Sequence, residues 1–298
     1  MVKAKPMPGD ATLAPRGYLT LATGRRGYLE MAVDMALSLR EHTELPVGLA
    51  ADGTLARLAS ERFGSVFDAV RVIDDRFLQG RIRKYGVAEA SPFEEVVFVD
   101  ADCIVLGPLD HLFASLGEHD VAMLGEQLTR EDDENHHGFS TRRLMERFEL
   151  ERYLKTNSGL FGFRRAPARE IMDAWRSCYL DEVRPGLKGS ILLGRWMGDE
   201  IAIGIVGGRL GLGTLPAPHA MFWPQEFDSI DLDAPAKPLL HMIWPPPPDL
   251  LARLLSDMHR RRVQAGVPPG GTEHWQAEVG KLTRMRWRRR VLERIGWW

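Results

Sequence analysis

Asp100 and Asp102 stand one residue apart, directly after the apolar run Val96, Val97, Phe98 and Val99. A strand this apolar is buried, so its backbone fixes the point at which both carboxylates emerge. Ala101 between them is small enough to let both face one cation. Carboxylates at this spacing suit a hard divalent ion, Mn²⁺ or Mg²⁺, which takes oxygen ligands and keeps coordination positions for substrate phosphates. The chemistry such an ion brings is neutralisation of a diphosphate leaving group. A solvated turn at a strand end is the other reading of an isolated Asp-X-Asp.

The elements that must hold this pair are legible from periodicity. "GYLTLAT" at 17–23 reads as a buried strand, and Leu29, Ala32, Val33, Ala36 and Leu37 then form a one-faced helical stripe that packs on a sheet. "LPVGLAAD" at 45–52, "AVRVI" at 69–73 and "VVFVD" at 96–100 read as further strands, with "GTLARLASERFG" as a helix among them. The alternation predicts an α/β fold, a Rossmann-like, mainly parallel mixed sheet flanked by helices. In such sheets the ligand crevice lies beyond the carboxyl ends of the strands, where Asp100 and Asp102 fall.

Further stretches follow in a fixed order: "LTLATG", "KYGVAEASPFEEVVFVDAD", "TNSGLFGFRR" and "GDEIAIGIV". With them, residues 17–245 or so resemble the metal-dependent glycosyltransferases that use nucleotide-sugar donors, especially family 8 with its GT-A fold. The resemblance implies that Ala22, Thr23 and Tyr28 lie near the donor's base or ribose. Lys84, with Arg83 adjacent, matches the basic residue that reaches the donor phosphates. Asn157 matches the residue that contacts the donor sugar, and Asp199 and Glu200 match the step beside the anomeric carbon. The late histidine that completes the family's metal site matches His241 in "KPLLHMIWPPPP", giving Asp100, Asp102 and His241 as ligands. The family follows that histidine with a glycine and then Lys-Pro-Trp, whereas here Met242, Ile243, Trp244 and four prolines follow, so the loop's phosphate-binding lysine is missing. Each match has a plain structural alternative: a turn at Asn157, a solvated Lys84, a helix N-terminus at Asp199 and Glu200, a hydrogen-bonded core His241.

The resemblance implies a hexosyltransferase that moves sugar from a UDP-sugar, with retention, to a saccharide or lipid-linked acceptor. Retaining enzymes of this kind have no agreed nucleophile; Glu200 or Asp199 would supply charge stabilisation. Two alternatives remain. "VVFVDADCIV" also resembles the Asp-X-Asp strand of haloacid-dehalogenase-type phosphatases, though Ile104 stands where Thr or Val is usual. The other is a binding module of the same fold without turnover.

Residues 126–143, "EQLTREDDENHHGFSTRR", are polar and aperiodic and read as a disordered stretch or an acceptor-binding lid, with His136 and His137 solvated. "GGRLGLG" at 207–213 lacks the spacing of a phosphate-binding loop. The expected organisation is a flexible leader at 1–16, a catalytic domain at 17–248 and a helical segment at 249–298.

The net charge of −2 is unevenly placed. Residues 281–298 carry seven basic residues against Glu293, a local charge of +6 that leaves −8 elsewhere. A nucleic-acid partner is disfavoured, because its basic excess would lie over the binding domain. Arginines mixed with Trp287, Trp297 and Trp298 predict peripheral contact with an anionic membrane, unless the tail docks on its own domain or on a second subunit in a homo-oligomer. Cys103 and Cys178, far apart, suggest a reducing compartment, hence a cytoplasmic enzyme at the inner membrane face. The sequence has no run approaching the ~20 apolar residues of a spanning helix.

Overall fold

The run around Val96–Val99 does become a strand, and it lies in the middle of a seven-stranded sheet. The computed structural model describes residues 14–78, 83–186, 198–215, 220–270 and 272–294, with side chains described as far as Trp287. Most of the leader, the arginines from Arg288 onward as side chains, and Trp297 and Trp298 lie outside the described residues.

The first half alternates as expected: β1 (Arg16–Ala22), α1 (Arg26–Arg40), β2 (Val47–Ala51), α2 (Gly53–Arg62), β3 (Ala69–Val72), α3 (Val87–Ala90), β4 (Glu95–Val99) and β5 (Cys103–Val105). The second half runs β6 (Val121–Thr129), β7 (Asn135–His136), β8 (Phe139–Ser140), α4 (Thr141–Arg147), β9 (Arg152–Arg164), α5 (Arg165–Ser177), α6 (Arg184–Gly186), α7 (Gly198–Leu210), β10 (Gly213–Leu215), β11 (Met221–Phe222), β12 (Leu239–His241), α8 (Pro248–Gln264) and α9 (Thr272–Arg294). The large sheet has the order β10-β6-β9-β4-β1-β2-β3. Only β9 in it is reversed, pairing antiparallel with both β4 and β6, so the sheet is mixed but mainly parallel. A second sheet, β11-β12-β5, sets His241 opposite Cys103.

Two arrangements differ from the sequence pattern. The α1 helix was expected to bury one face, yet every residue from Leu29 to Leu39 is buried, Glu30, Asp34 and Ser38 included. Its second face lies under α8 and α9. Arg262 of α8 donates from Nε to Asp34 at 2.6 Å and from Nη1 to Glu30 at 2.8 Å, and Trp275 Nε1 of α9 donates to Asp34 at 2.9 Å. Burial of two carboxylates is tolerable because two guanidiniums and one indole satisfy them, Arg26 donating to the other Glu30 oxygen at 3.0 Å. Leu250, Leu254, Met258 and Trp275 share the core that covers this side of the sheet.

Residues 126–143 are ordered, which corrects the disordered one of the two readings. They finish β6, form the β7–β8 hairpin and start α4, capped where Ser140 Oγ accepts from Arg143 N. Local polar pairing replaces apolar burial there: Asp132 accepts from Thr129 N at 2.8 Å, and Thr141 N donates to Glu134 O at 2.8 Å.

The α9 helix, which leads into the basic tail, docks at its start through Trp275, while Met285 and Trp287 are exposed and Arg286 lies 5.1 Å over the Trp244 ring. Among the described residues no helix is long and apolar enough to cross a membrane.

Removing Arg262 leaves buried Asp34 with the Trp275 N–H and no cation, and leaves Glu30 with Arg26 alone, so Arg262→Met is expected to cost about 3–5 kcal/mol in urea unfolding. Arg253→Ala on the same helix removes an exposed pair with Asp233 and should cost less than about 1 kcal/mol. Equal losses would show that the cluster does not hold α8 to α1.

Candidate active site

The carboxylate pair sits in a tight turn between β4 and β5. Asp100 N donates to Gly159 O at 2.8 Å and Cys103 N to Asp100 O at 3.1 Å, while Met242 N donates to Asp102 O at 3.0 Å. One turn is thereby pinned by β9 on one side and by the end of β12 on the other. The same β12 pairing brings His241 Nε2 within 3.2 Å of Asp102 Oδ1 and 3.9 Å of Asp100 Oδ2. The three residues expected as ligands are therefore brought together.

The orientation of His241 has a definite cause. Asn157 Oδ1 accepts from Gly159 N at 2.9 Å and faces His241 Nδ1 at 3.2 Å. An amide oxygen only accepts, so Nδ1 carries a proton and Nε2 is the nitrogen directed at the aspartates. Gly159 makes room: a Cβ there would lie 2.3 Å from His241 Cε1. Asn157, expected to contact a donor sugar, uses its oxygen to aim this imidazole and keeps only its NH₂ for another partner. Two carboxylates and one aimed imidazole nitrogen are a donor set suited to a divalent metal ion. Cys103 lies in the same cluster but faces Gly159 O at 4.0 Å, and burial with the Asp102 and Asp100 charges keeps it a neutral thiol.

Lys84 occupies the other side of Asp100. Its Nζ donates to Asp100 Oδ2 at 2.5 Å, to Ser158 O at 2.9 Å and to Ser158 Oγ at 3.1 Å. Burial opposes its charge, but Asp100 and Asp199 outweigh that and raise its pKa. Burial, only partly offset by Lys84, raises the Asp100 pKa, with the charge of Asp102 adding to it; for Asp102 burial is outweighed by His241 and the pKa falls. Burial also works against a charged His241, yet Asp102 and Asp100 carry its pKa above the ordinary value.

Asp199 and Glu200 begin α7, which approaches β9 closely enough that a Cβ on Gly208 would sit 2.1 Å from Arg152 O. Ser158 N donates to Glu200 Oε1 at 2.8 Å, with Ser158 Oγ at 3.3 Å, and His137 Nε2 hydrogen-bonds Oε2. Burial would raise the Glu200 pKa, but His137, His136 and the Ser158 amide lower it to about 2. Asp199 moves the other way, to about 7, through burial and then the adjacent Glu200 charge. A continuous polar path thus runs from Glu200 through Ser158 and Lys84 to Asp100.

The nucleotide-side expectations fall at the same sheet edge. Ala22 ends β1, which runs parallel beside β4, so Ala22 and Thr23 leave the sheet on the side of Asp100. Tyr28 lies in the first turn of α1 and is partly buried against the core. Asp52 ties this corner together, accepting from Gly24 N at 2.6 Å and from Thr54 N and Leu55 N at the start of α2. Gly24 turns with φ 80°, and Arg83 packs against it, with Nη1 2.6 Å from where a Cβ would stand. The buried Arg83 Nε has no hydrogen-bond partner among the described residues.

Sequence reasoning missed Ser158, Gly159 and Asp52 and set His137 aside. The Asn-Ser-Gly triplet held the signal for the first two. For His137 only the His-Gly turn hinted at structure, and the solvated reading of both histidines is corrected. His136 is buried, donates from Nε2 to Thr156 O at 3.2 Å and accepts from Tyr153 Oη at 2.6 Å, because the hydrophobic Tyr153 pocket offers it one acceptor and one donor. Burial and the neighbouring His137 lower its pKa to about 3, so it is neutral.

No protein-family model matches the chain, and no curated protein matches it. Solved structures do. The chain is similar to galactosyltransferase LgtC in complex with donor and acceptor sugar analogs, at 14% identity and TM-score 0.52, over 88% of this chain and 99% of that one. Glycosyltransferase GlyE of Streptococcus pneumoniae TIGR4 gives 16% identity and TM-score 0.50 over 76% of this chain. The WbbM bifunctional glycosyltransferase gives 12% and 0.50 over 86%. The match spans about half of the GlyE and WbbM chains, 54% and 53%. These likenesses establish that the chain has the GT-A fold.

Asn157→Leu removes the acceptor that orients His241, and Gly159→Ala fills the space against the ring. Each is expected to weaken Mn²⁺ binding about 10–100-fold in an EPR titration. Wild-type Mn²⁺ affinity in both variants would contradict the part given to the Asn-Ser-Gly segment.

Proposed function

We propose that the chain is a metal-dependent glycosyltransferase that moves a hexose from a UDP-sugar to a saccharide acceptor with retention. The observation that carries this reading is the convergence of Asp100, Asp102 and His241 at the carboxyl edge of β4 in a GT-A fold, with Lys84 and Glu200 linked to them through Ser158. Phosphatase chemistry shares the paired aspartates, but none of the similar structures described above is a phosphatase.

Asp100, Asp102 and His241 would hold Mn²⁺ or Mg²⁺, whose contribution when bound is to offset charge on the leaving diphosphate. The chain's own residues do the rest. The nucleoside lies against the β1 turn at Ala22, Thr23 and Tyr28. Arg83, whose guanidinium lies against Gly24 and whose Nε has no partner among the described residues, supports a phosphate contact in place of the lysine missing after His241. Lys84 adds fixed positive charge beside Asp100.

In the transfer, the bond from the anomeric carbon to the β-phosphate oxygen breaks with its electron pair leaving on the phosphate. The acceptor oxygen bonds to the same face of that carbon, and its proton passes to the departing phosphate oxygen. Positive charge grows on the sugar ring as the bond breaks. Glu200, anionic near neutral pH, stabilises that charge, while Asp199 retains part of its proton there and acts as a hydrogen-bond donor. Two neighbouring acids with separated pKa values can thus serve different roles.

Asp102→Asn is expected to abolish turnover in a panel of UDP-hexoses. Glu200→Gln should lower kcat about 10²–10³-fold while leaving KM for the donor nearly unchanged, because the charge matters chiefly in the transition state. Full activity of Asp102→Asn, or hydrolysis of small phosphomonoesters without any turnover of nucleotide sugars, would overturn the reading.

A further inference from the structure

The β7–β8 hairpin has a two-residue turn, His137 and Gly138, and both have positive φ, 54° and 88°. Glycine adopts this conformation freely, whereas histidine does so only where its surroundings enforce it. Here they do. Asn135 Oδ1 accepts from Gly138 N at 2.9 Å, and His136 is locked between Tyr153 and Thr156 on β9. The His137 ring lies tilted against His136, with centroids 4.4 Å apart, and points its Nε2 at Glu200 Oε2. His136, His137 and Glu200 cluster closely enough to suggest a second metal site. Both His136 nitrogens are already engaged by protein, so it has none to give a metal.

We propose that His137 is a positioning residue for the transfer centre: its Nε2–H holds one oxygen of Glu200 while the Ser158 N–H holds the other, fixing the carboxylate's orientation. The inference rests on the role given to Glu200 above. A carboxylate with one oxygen held can swing about its terminal bond; with both held from different elements, β9 and the hairpin, it cannot. The hairpin, read from sequence as a loose polar stretch, thereby becomes part of the site.

His137→Gly keeps the turn conformation and removes the imidazole, and His137→Gln restores an N–H donor. With a UDP-sugar and Mn²⁺, His137→Gly is expected to lose about a hundredfold in kcat with KM for the donor within about twofold. His137→Gln, or added imidazole with His137→Gly, should recover most of that loss. Wild-type kcat in His137→Gly, or a loss that neither recovers, would overturn the proposal. The pair is also read without turnover, by long-range ¹H–¹⁵N correlation of the imidazoles. His137 should show a downfield Nε2–H in the wild type that is lost in Glu200→Ala; its persistence there overturns the proposal. A wild type that turns over no nucleotide sugar, yet shows this coupling, defeats the functional reading and the catalytic purpose assigned to His137, leaving only the contact.

Discussion

Four carboxylates, those of Asp100, Asp102, Asp199 and Glu200, occupy one largely buried corner, and their mutual repulsion is the constraint on which the arrangement depends. Like charges in a low-dielectric site cannot all ionise unless each is answered by a cation, a donor or a proton. The chain answers each separately. Lys84 faces Asp100, His241 faces Asp102, and His137 with the Ser158 amide faces Glu200. Asp199 lies where burial and Glu200 outweigh the nearby cations, and it takes up a proton near neutrality.

These partners come from widely separated parts of the chain, and β9 joins them. It is the one reversed strand of the large sheet, and its pairing with β6 shifts register between Met123 and Leu124. Around that irregularity Asn157, Ser158 and Gly159 meet His241, Glu200 and Asp100 in turn. A bulge in the middle of a sheet lets successive residues serve different neighbours instead of continuing the ladder. Gly204, Gly207 and Gly208 of α7 lie close against residues 152–154 at the start of the same strand.

The βα alternation and the emergence of Asp100 and Asp102 at a strand end were legible because apolar periodicity and a short polar pair are local signals. Lys84, Asn157, Glu200 and His241 were found through their order along the chain, and the structure gathers them. Their contacts were not legible. Asn157 was matched to a sugar contact through the resemblance; nothing local shows that its oxygen also faces an imidazole 84 residues away. The His-Gly turn looked like solvated loop because its order comes from Tyr153, Thr156 and Glu200, all distant in sequence. The buried polar face of α1 was hidden likewise, since Arg262 lies 228 residues beyond Asp34.

The central claim is that this corner is a joint site for a divalent metal and a nucleoside diphosphate. Calorimetric titration of UDP into the full chain, with Mn²⁺ and then with EDTA, tests it most directly. Because each ligand would relieve the charge carried by the other, UDP should bind at least about tenfold tighter with Mn²⁺, a coupling of ~1.4 kcal/mol. Equal UDP affinity in Mn²⁺ and EDTA, or no UDP binding in either, would contradict the account.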